Sequence, residues 1–257
     1  METGLRGKNV LVPGASSGIG LAIARALAAE GANVVLAARR GDLVRAEAAR
    51  LESAVGIGID LTDGGAAPAL VDAAVDAFGP VDVLILNSGG PPPGGAADVS
   101  DEQALAAVHQ LLLQHMRLTS LVLPGMRERG WGRVVAVGSS GVQQPLPNLA
   151  LSNIGRAGLA GYLKTLAAEV AKDGVTVNMV LPGRIDTDRV GSLDAAAAKR
   201  AGRSPEETRA ASEASIPAGR YGRPEEFAAV VAFLASGPAS YVTGEQIRCD
   251  GGLVRSY

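Results

Sequence analysis

The residues with the clearest chemical potential are glycines. In Pro13-Gly14-Ala15-Ser16-Ser17-Gly18-Ile19-Gly20, a short apolar run ends and a helical stretch begins. Glycines so placed let the backbone turn tightly, approach a diphosphate and bring helix against strand, while the helix start offers unpaired N–H groups to the phosphates. Gly14, Ser16, Ser17, Gly18, Ile19 and Gly20 are therefore expected to hold a dinucleotide. Tight turns need glycine without any ligand too, so the inference depends on the loop lying between a first strand and a first helix. About twenty positions further on, an acid would grip the ribose 2′-hydroxyl of NAD, whereas an arginine accommodates the 2′-phosphate of NADP. Here the chain reads Ala37-Ala38-Arg39-Arg40, with no acid before Asp42. Arg39, with Arg40 its neighbour, is the expected phosphate clamp, which favours NADP over NAD. The alternative is two solvated charges at the start of a helix.

Such a loop needs a sheet beneath it. Apolar runs at Val10–Val12, Val34–Ala38, Val55–Ile59, Val81–Leu86, Val134–Val137, Val175–Val180 and Gln246–Cys249 alternate with Ala-rich stretches of helical period. Those stretches are Ile19–Ala29, Leu43–Leu51, Ala67–Ala77, Glu102–Arg129, Leu151–Lys172 and Pro224–Ala235. Alternation of this kind reads as βαβ units around a parallel sheet, and strands apolar nearly throughout are covered on both faces. The expected fold is α/β, a doubly wound parallel sheet of about seven strands in a single domain spanning residues 1–257. The segment Asp188–Arg220 falls outside the alternation. Its Ser204-Pro205-Glu206-Glu207 carries a capping box with proline at the first helical position, so it is expected to form a helical flap over the site.

Composition bounds the partners. With 47% hydrophobic and 3% aromatic residues, the core must be built from Ala, Val, Leu and Ile. The 24 basic and 26 acidic side chains leave a net charge of -2, which argues against nucleic-acid or membrane-surface binding. No apolar stretch reaches the roughly 20 residues that cross a bilayer. Cys249, the one cysteine, excludes an internal disulfide and, with a polar Met1–Lys8 segment, leads to an expected cytoplasmic location. No metal site is expected.

The motifs resemble those of the short-chain dehydrogenase/reductase family, its 3-oxoacyl-ACP reductase-like branch, along nearly the whole chain. Gly14, Gly18 and Gly20 are in register with that family's Gly-x-x-x-Gly-x-Gly loop. Asp60-Leu61 resembles the pair flanking the adenine, and Asn87-Ser88-Gly89-Gly90 the turn after the fourth strand. Asn178, with Pro182, Gly183, Ile185 and Thr187, resembles the segment passing the nicotinamide; Thr243-Gly244 and Asp250-Gly251-Gly252 match the C-terminal signature. The resemblance implies a Rossmann-type domain, a carbonyl or thioester substrate, and a tetramer or dimer built on the stretches Glu102–Arg129 and Leu151–Lys172. One departure is Pro13, where the family has Thr; it removes a backbone donor and a hydroxyl.

The family's working residues are a Ser, a Tyr thirteen positions later, and a Lys four beyond that. Aligned without a gap, these fall on Ser139, Ser152 and Arg156, and the family's Asn falls at or beside Leu111. The phenol of the family donates a proton as hydride arrives, helped by the neighbouring ammonium. Ser152 and Arg156 keep the i, i+4 spacing, so both face one side of a helix. An aliphatic hydroxyl is a much weaker acid, and Arg156 can hold a cofactor ribose without relaying a proton. Three replacements present themselves. Ser139 and Ser152 together polarise a carbonyl while water brings the proton; His115, one turn past Leu111, supplies it or is a core histidine; or Arg184 joins Arg156 on an anionic substrate or is a surface charge. Tyr162, six positions past Arg156, lies on another helix face and is expected to be packing. Trp131 is expected to anchor a loop, Cys249 to be a buried thiol, and the stiff Gly90–Gly95 loop to narrow the entrance or merely connect. The family's C-terminal tails often reach a neighbouring subunit, and the resemblance extends that expectation to Arg255 and Tyr257. Three functions fit: an NADP-preferring oxidoreductase with a Ser/Ser/Arg site, a cofactor-binding pseudoenzyme, and an enzyme of another reaction whose dinucleotide is structural.

Overall fold

The computed structural model describes residues 2–255; Tyr257 lies outside them. Seven strands, Asn9–Pro13 (β1), Asn33–Ala38 (β2), Ala54–Gly58 (β3), Val83–Leu86 (β4), Gly132–Val137 (β5), Val175–Pro182 (β6) and Gln246–Cys249 (β7), form one parallel sheet in the order β3-β2-β1-β4-β5-β6-β7. This is the Rossmann-type sheet that the alternation predicts. Its helices are Gly18–Ala29 (α1), Gly41–Ala48 (α2), Ala66–Phe78 (α3), Asp101–Val108 (α4), Gln114–Glu128 (α5), Ala150–Val170 (α6), Asp188–Ala201 (α7), Pro205–Ala214 (α8) and Pro224–Ala235 (α9).

Successive strand residues feed opposite layers. Val10 and Val12 join Ile23 and Leu27 of α1 and Phe227 and Val231 of α9 on one face. Leu11, between them, joins Leu70 of α3, Leu118 of α5 and Leu159 and Leu163 of α6 on the other. Each such side chain is worth about 1.5–3 kcal/mol when fully buried, so both helical layers are held by the pleat itself. The edge strands differ from the centre: β7 is half-buried throughout, and Cys249 with it, instead of being sealed in the core. No helix among the described residues is long and apolar enough to cross a membrane.

Three of the departures from the expected boundaries have a visible cause. The fourth strand starts at Val83, because the Asp82 carboxylate accepts from the Asn9 backbone N–H at 3.1 Å and ties the two strand entries together. The second helix stops at Ala48, where Arg50 and Leu51 close 3₁₀-type bonds to Glu47 and Ala48. The long stretch Glu102–Arg129 is interrupted by a π-helical turn at His109–Leu113, which joins α4 to α5. Pro13 is accommodated because it ends β1: the sheet contact resumes one residue past Gly14, where Ala15 N–H donates to Ala37 at 3.2 Å.

Candidate active site

In an open parallel sheet the crevice lies at the carboxyl ends of the strands where the order reverses. That point falls between β1 and β4, and a cleft of about 450 Å³ opens there. Its floor comes from Gly14, Asn87, Val137 and Ser139 at strand ends, and its roof from Val190, Leu193 and Ala197 of α7. The segment 188–220 thus forms two helices, the first of them over the cleft. Ser204 and Glu207 close the predicted capping box at the start of the second, at 3.1 and 3.0 Å.

At the glycine loop, space decides residue type. The Asn87 amide, buried, donates to Pro13 at 3.0 Å and Gly14 at 3.2 Å. A Cβ on Gly14 or Gly20 would lie 2.5 or 2.6 Å from that amide nitrogen, so neither position tolerates a side chain. Gly14 and Gly18 also adopt φ of 65° and 58°, the left-handed region that glycine enters freely. Ser17 begins α1 in an extended conformation and its hydroxyl caps nothing, leaving the first N–H groups of that helix for an incoming anion. Arg40 donates from Nη2 to Ser16 Oγ at 2.9 Å and to Ser17 Oγ at 2.7 Å. Donors, a helix start and a guanidinium therefore meet at one end of the cleft, which fits a phosphorylated dinucleotide.

The predicted residues sort into three groups. Gly14, Ser17, Gly18, Ile19 and Gly20 line the cleft, as do Asn87, Gly89, Ser139, Ser152 and Arg156, and Pro182, Gly183, Ile185 and Thr187. Ser16 and Arg40 sit at its end through the bonds just given. Arg39, Asp60 and Leu61 lie outside the lining. Asp60 accepts from the Thr62 N–H and hydroxyl, bonds that together with nearby Arg39 hold its pKa below the usual range, and Leu61 packs on the α3 side of the sheet. Of the two neighbouring arginines it is Arg40 that reaches the loop serines.

At the far end, Ser139 Oγ accepts from the Gly141 N–H at 3.0 Å and caps a 3₁₀ turn, Ser140–Val142. Its own proton is left free to donate into the cleft. Arg156, buried in α6, donates through Nη1 to the Val137 carbonyl at 2.6 Å. Burial, and next the charge of Arg189, push its pKa down to about 10, so it remains a cation at neutral pH. Ser152 lies one helical turn earlier on the same cleft wall.

His115 is a core histidine. Its Nδ1–H donates to the Leu111 carbonyl at 2.9 Å, it is 1% exposed, and burial lowers its pKa to about 4. It does not line the cleft, which removes it as the proton source. Leu111 is fully buried in the π turn and pressed by α6: a Cβ on Gly155 would lie 2.6 Å from Leu111 Cβ and 3.1 Å from the Ala107 carbonyl. Alanine ordinarily stabilises a helix interior by about 1 kcal/mol over glycine. At Gly155 the sign should reverse: Gly155→Ala is expected to destabilise by about 1–3 kcal/mol through overpacking, read as a lower urea midpoint with an unchanged slope.

Arg184 lines the cleft, and its charge there is already paired. It pairs with Asp194 of α7 at 3.0 Å, and the same carboxylate accepts from the Tyr221 hydroxyl at 2.7 Å. Tyr162 is half-buried against the α5 and α6 layer. Trp131 is held between Lys8 and Arg133, whose charges lie 4.1 and 4.5 Å from its ring centre.

Three polar residues that sequence reasoning missed shape the entrance. Gln110 Nε2 donates to the Gly89 carbonyl at 2.7 Å. Asn153 Nδ2 donates to the Leu146 carbonyl at 3.0 Å, holding the loop before α6. Arg189 Nη2 donates to the Pro91 carbonyl at 2.6 Å, joining α7 to the proline-rich loop. Only Asn153 carried a local signal, through its place beside Ser152; the other two bond across the fold.

Residues 14–254 match the family model described as Enoyl-(Acyl carrier protein) reductase. The 3-oxoacyl-(acyl-carrier-protein) reductase FabG of Vibrio cholerae is 38% identical over 252 residues, covering 97% of this chain and 98% of the relative. A protein of Streptomyces coelicolor named a putative ketoacyl reductase is 39% identical over 250 residues, 95% of each. Among solved structures, an actinorhodin polyketide ketoreductase with NADPH superposes with a TM-score of 0.92 at 36% identity, covering 97% of this chain and 98% of that one. The L-sorbose reductase of Gluconobacter frateurii, complexed with NADPH and L-sorbose, gives 0.94 at 32% identity over the whole of both chains.

Proposed function

This chain belongs to the short-chain dehydrogenase/reductase family, and from that premise we propose that it is an NADP(H)-preferring oxidoreductase acting on a carbonyl through Ser139, Ser152 and Arg156. The observation that carries the reading is the continuity of one cleft from the glycine loop to those three side chains. NADP(H), when bound, supplies or accepts the hydride. The loop backbone and the start of α1 receive its diphosphate, and Arg40 with Ser16 and Ser17 receives the 2′-phosphate. Relatives crystallised with NADPH support that preference.

In the reducing direction the carbonyl carbon gains the hydride and the oxygen gains the electron pair and then a proton. Ser139, whose hydroxyl proton is free, and Ser152 donate hydrogen bonds to that oxygen as its negative charge grows. Arg156 lies beside them as a fixed positive charge. Neither a serine nor a guanidinium with a pKa near 10 releases a proton at neutral pH, so the proton reaches the oxygen from water.

Removing Arg40 should weaken NADPH binding while sparing NADH. A charge-assisted bond is worth roughly 1.5–3 kcal/mol, so Arg40→Ala is expected to raise the Kd for NADPH roughly 10- to 100-fold by fluorescence titration. Equal loss for both cofactors would remove Arg40 from the phosphate site. The homo-oligomer that the family resemblance implies is supported by Leu105, Leu113, Leu121 and Ile154, exposed on the helical layer that would form the contact. A light-scattering mass of one chain would contradict it.

The decisive experiment is deuteride transfer from labelled NADPH, with mass spectrometry on a panel of oxo acids, esters and 3-oxoacyl thioesters. A deuterated alcohol formed by the wild type and lost in Ser139→Ala supports the reading. Tight NADPH binding without label in any product replaces it with a cofactor-binding protein that does no reduction.

A further inference from the structure

We propose that the substrate is a compact oxo acid whose carboxylate is received by Arg156 and Arg189. The proposal deepens the oxidoreductase reading and rests on it.

Four arginines line the cleft, Arg156, Arg184, Arg189 and Arg200, against one carboxylate, Asp188. The chain treats them differently. Arg184 has a dedicated counter-ion in Asp194, a residue only 6% exposed. Neither Arg156 nor Arg189 forms an ion pair with any carboxylate of the described residues; each donates to a neutral carbonyl, Val137 and Pro91, at 2.6 Å. Burying the Arg156 guanidinium without a counter-charge is unfavourable, and the exposed Arg189 cation lining the same cleft adds repulsion to it. A carboxylate entering the cleft relieves both costs.

Room for it exists. Ser152 stands at the position the resemblance assigns to the family's tyrosine, and a serine there leaves the volume of a phenol ring to the cleft that Ser139, Ser152 and Arg156 all line. An anion there lies next to the reacting carbonyl, which selects a short oxo acid over a long carrier arm whose phosphate is remote from its thioester. The cofactor's phosphates have their own receptors at the loop and Arg40. Arg156, by contrast, contacts β5, two strands away from β1.

Matched 2-oxo and 3-oxo acids and their methyl esters test this, with acetoacetyl-CoA as the arm for a remote phosphate. Calorimetry of oxalate and malonate binding to the protein–NADPH complex gives a readout independent of turnover. In the wild type the acids should exceed their esters in kcat/KM by roughly 10- to 100-fold, the range of a charge-assisted bond. Arg189→Gln, a change at an exposed residue, should abolish that preference and weaken the dicarboxylates at least tenfold, with the NADPH Kd within twofold of wild type. Esters or acetoacetyl-CoA turned over as well as the acids, with no dicarboxylate binding, overturns the proposal and leaves the oxidoreductase reading standing. Loss of NADPH affinity in Arg189→Gln equal to the loss for dicarboxylates also overturns it, since Arg189 then serves the cofactor. Arginine-dependent dicarboxylate binding with no hydride transfer to acid or ester keeps the anion site and removes the reductase.

Discussion

Ser152→Tyr combined with Arg156→Lys is expected to raise the reduction of neutral ketones about 10²- to 10⁴-fold. That range is what a positioned general acid contributes. The two positions are four apart on α6 and both line the cleft, so a phenol and an ammonium placed there become neighbours on one face. An ammonium beside a phenol stabilises the phenolate and draws its pKa from about 10 toward neutrality, which a serine hydroxyl cannot imitate. Ser152→Tyr alone should give a smaller gain, because the guanidinium lowers the phenol pKa but does not pass protons onward. The measurement is kcat/KM for a neutral 3-oxo ester with NADPH, beside the NADPH Kd. A double variant that binds NADPH normally and is no faster than the wild type would show that hydride transfer does not take place at this wall. The same variant should lose the preference for oxo acids, since the ring fills the room assigned to the carboxylate.

Acid should destabilise the fold through His115, by on the order of 3 kcal/mol between pH 7.5 and 4. In the folded chain its pKa is lowered to about 4 by burial; unfolded, it returns to about 6.5. Between those values the unfolded chain binds the proton and the folded chain does not, so stability is full above pH 6.5 and falls as the pH drops toward 4. The buried Nε2 finds no hydrogen-bond partner among the described residues, and protonating it would place a charge near the Arg156 cation. His115→Gln keeps an amide to donate to the Leu111 carbonyl and cannot titrate. Urea unfolding at several pH values should show a steep acid limb for the wild type and a flatter one for the variant. Parallel limbs would assign the acid sensitivity to paired carboxylates, of which Glu226, held at about 2 by Arg220, is one.

The amino-acid sequence by itself determined the sheet, the glycine loop and the shared helix face of Ser152 and Arg156. These features are local. A strand declares itself by a run of apolar residues, the loop by glycines between strand and helix, and the shared face of Ser152 and Arg156 by a spacing of four. Tertiary structure decided which charges are free. Nothing within a few residues of Arg184 marks Asp194 as its partner, nor does the neighbourhood of Arg189 point to Pro91, 98 positions earlier. That Arg40 and not Arg39 bonds Ser16 and Ser17 also waited on where β2 ends relative to them. The π turn at His109–Leu113 escaped the periodicity because one extra residue in a turn barely alters a pattern spread over 28 residues, yet it sets where Leu111 and His115 point. Whether a buried cation has a counter-ion depends on which distant elements meet around it, and that meeting is a property of the packed sheet and its flap.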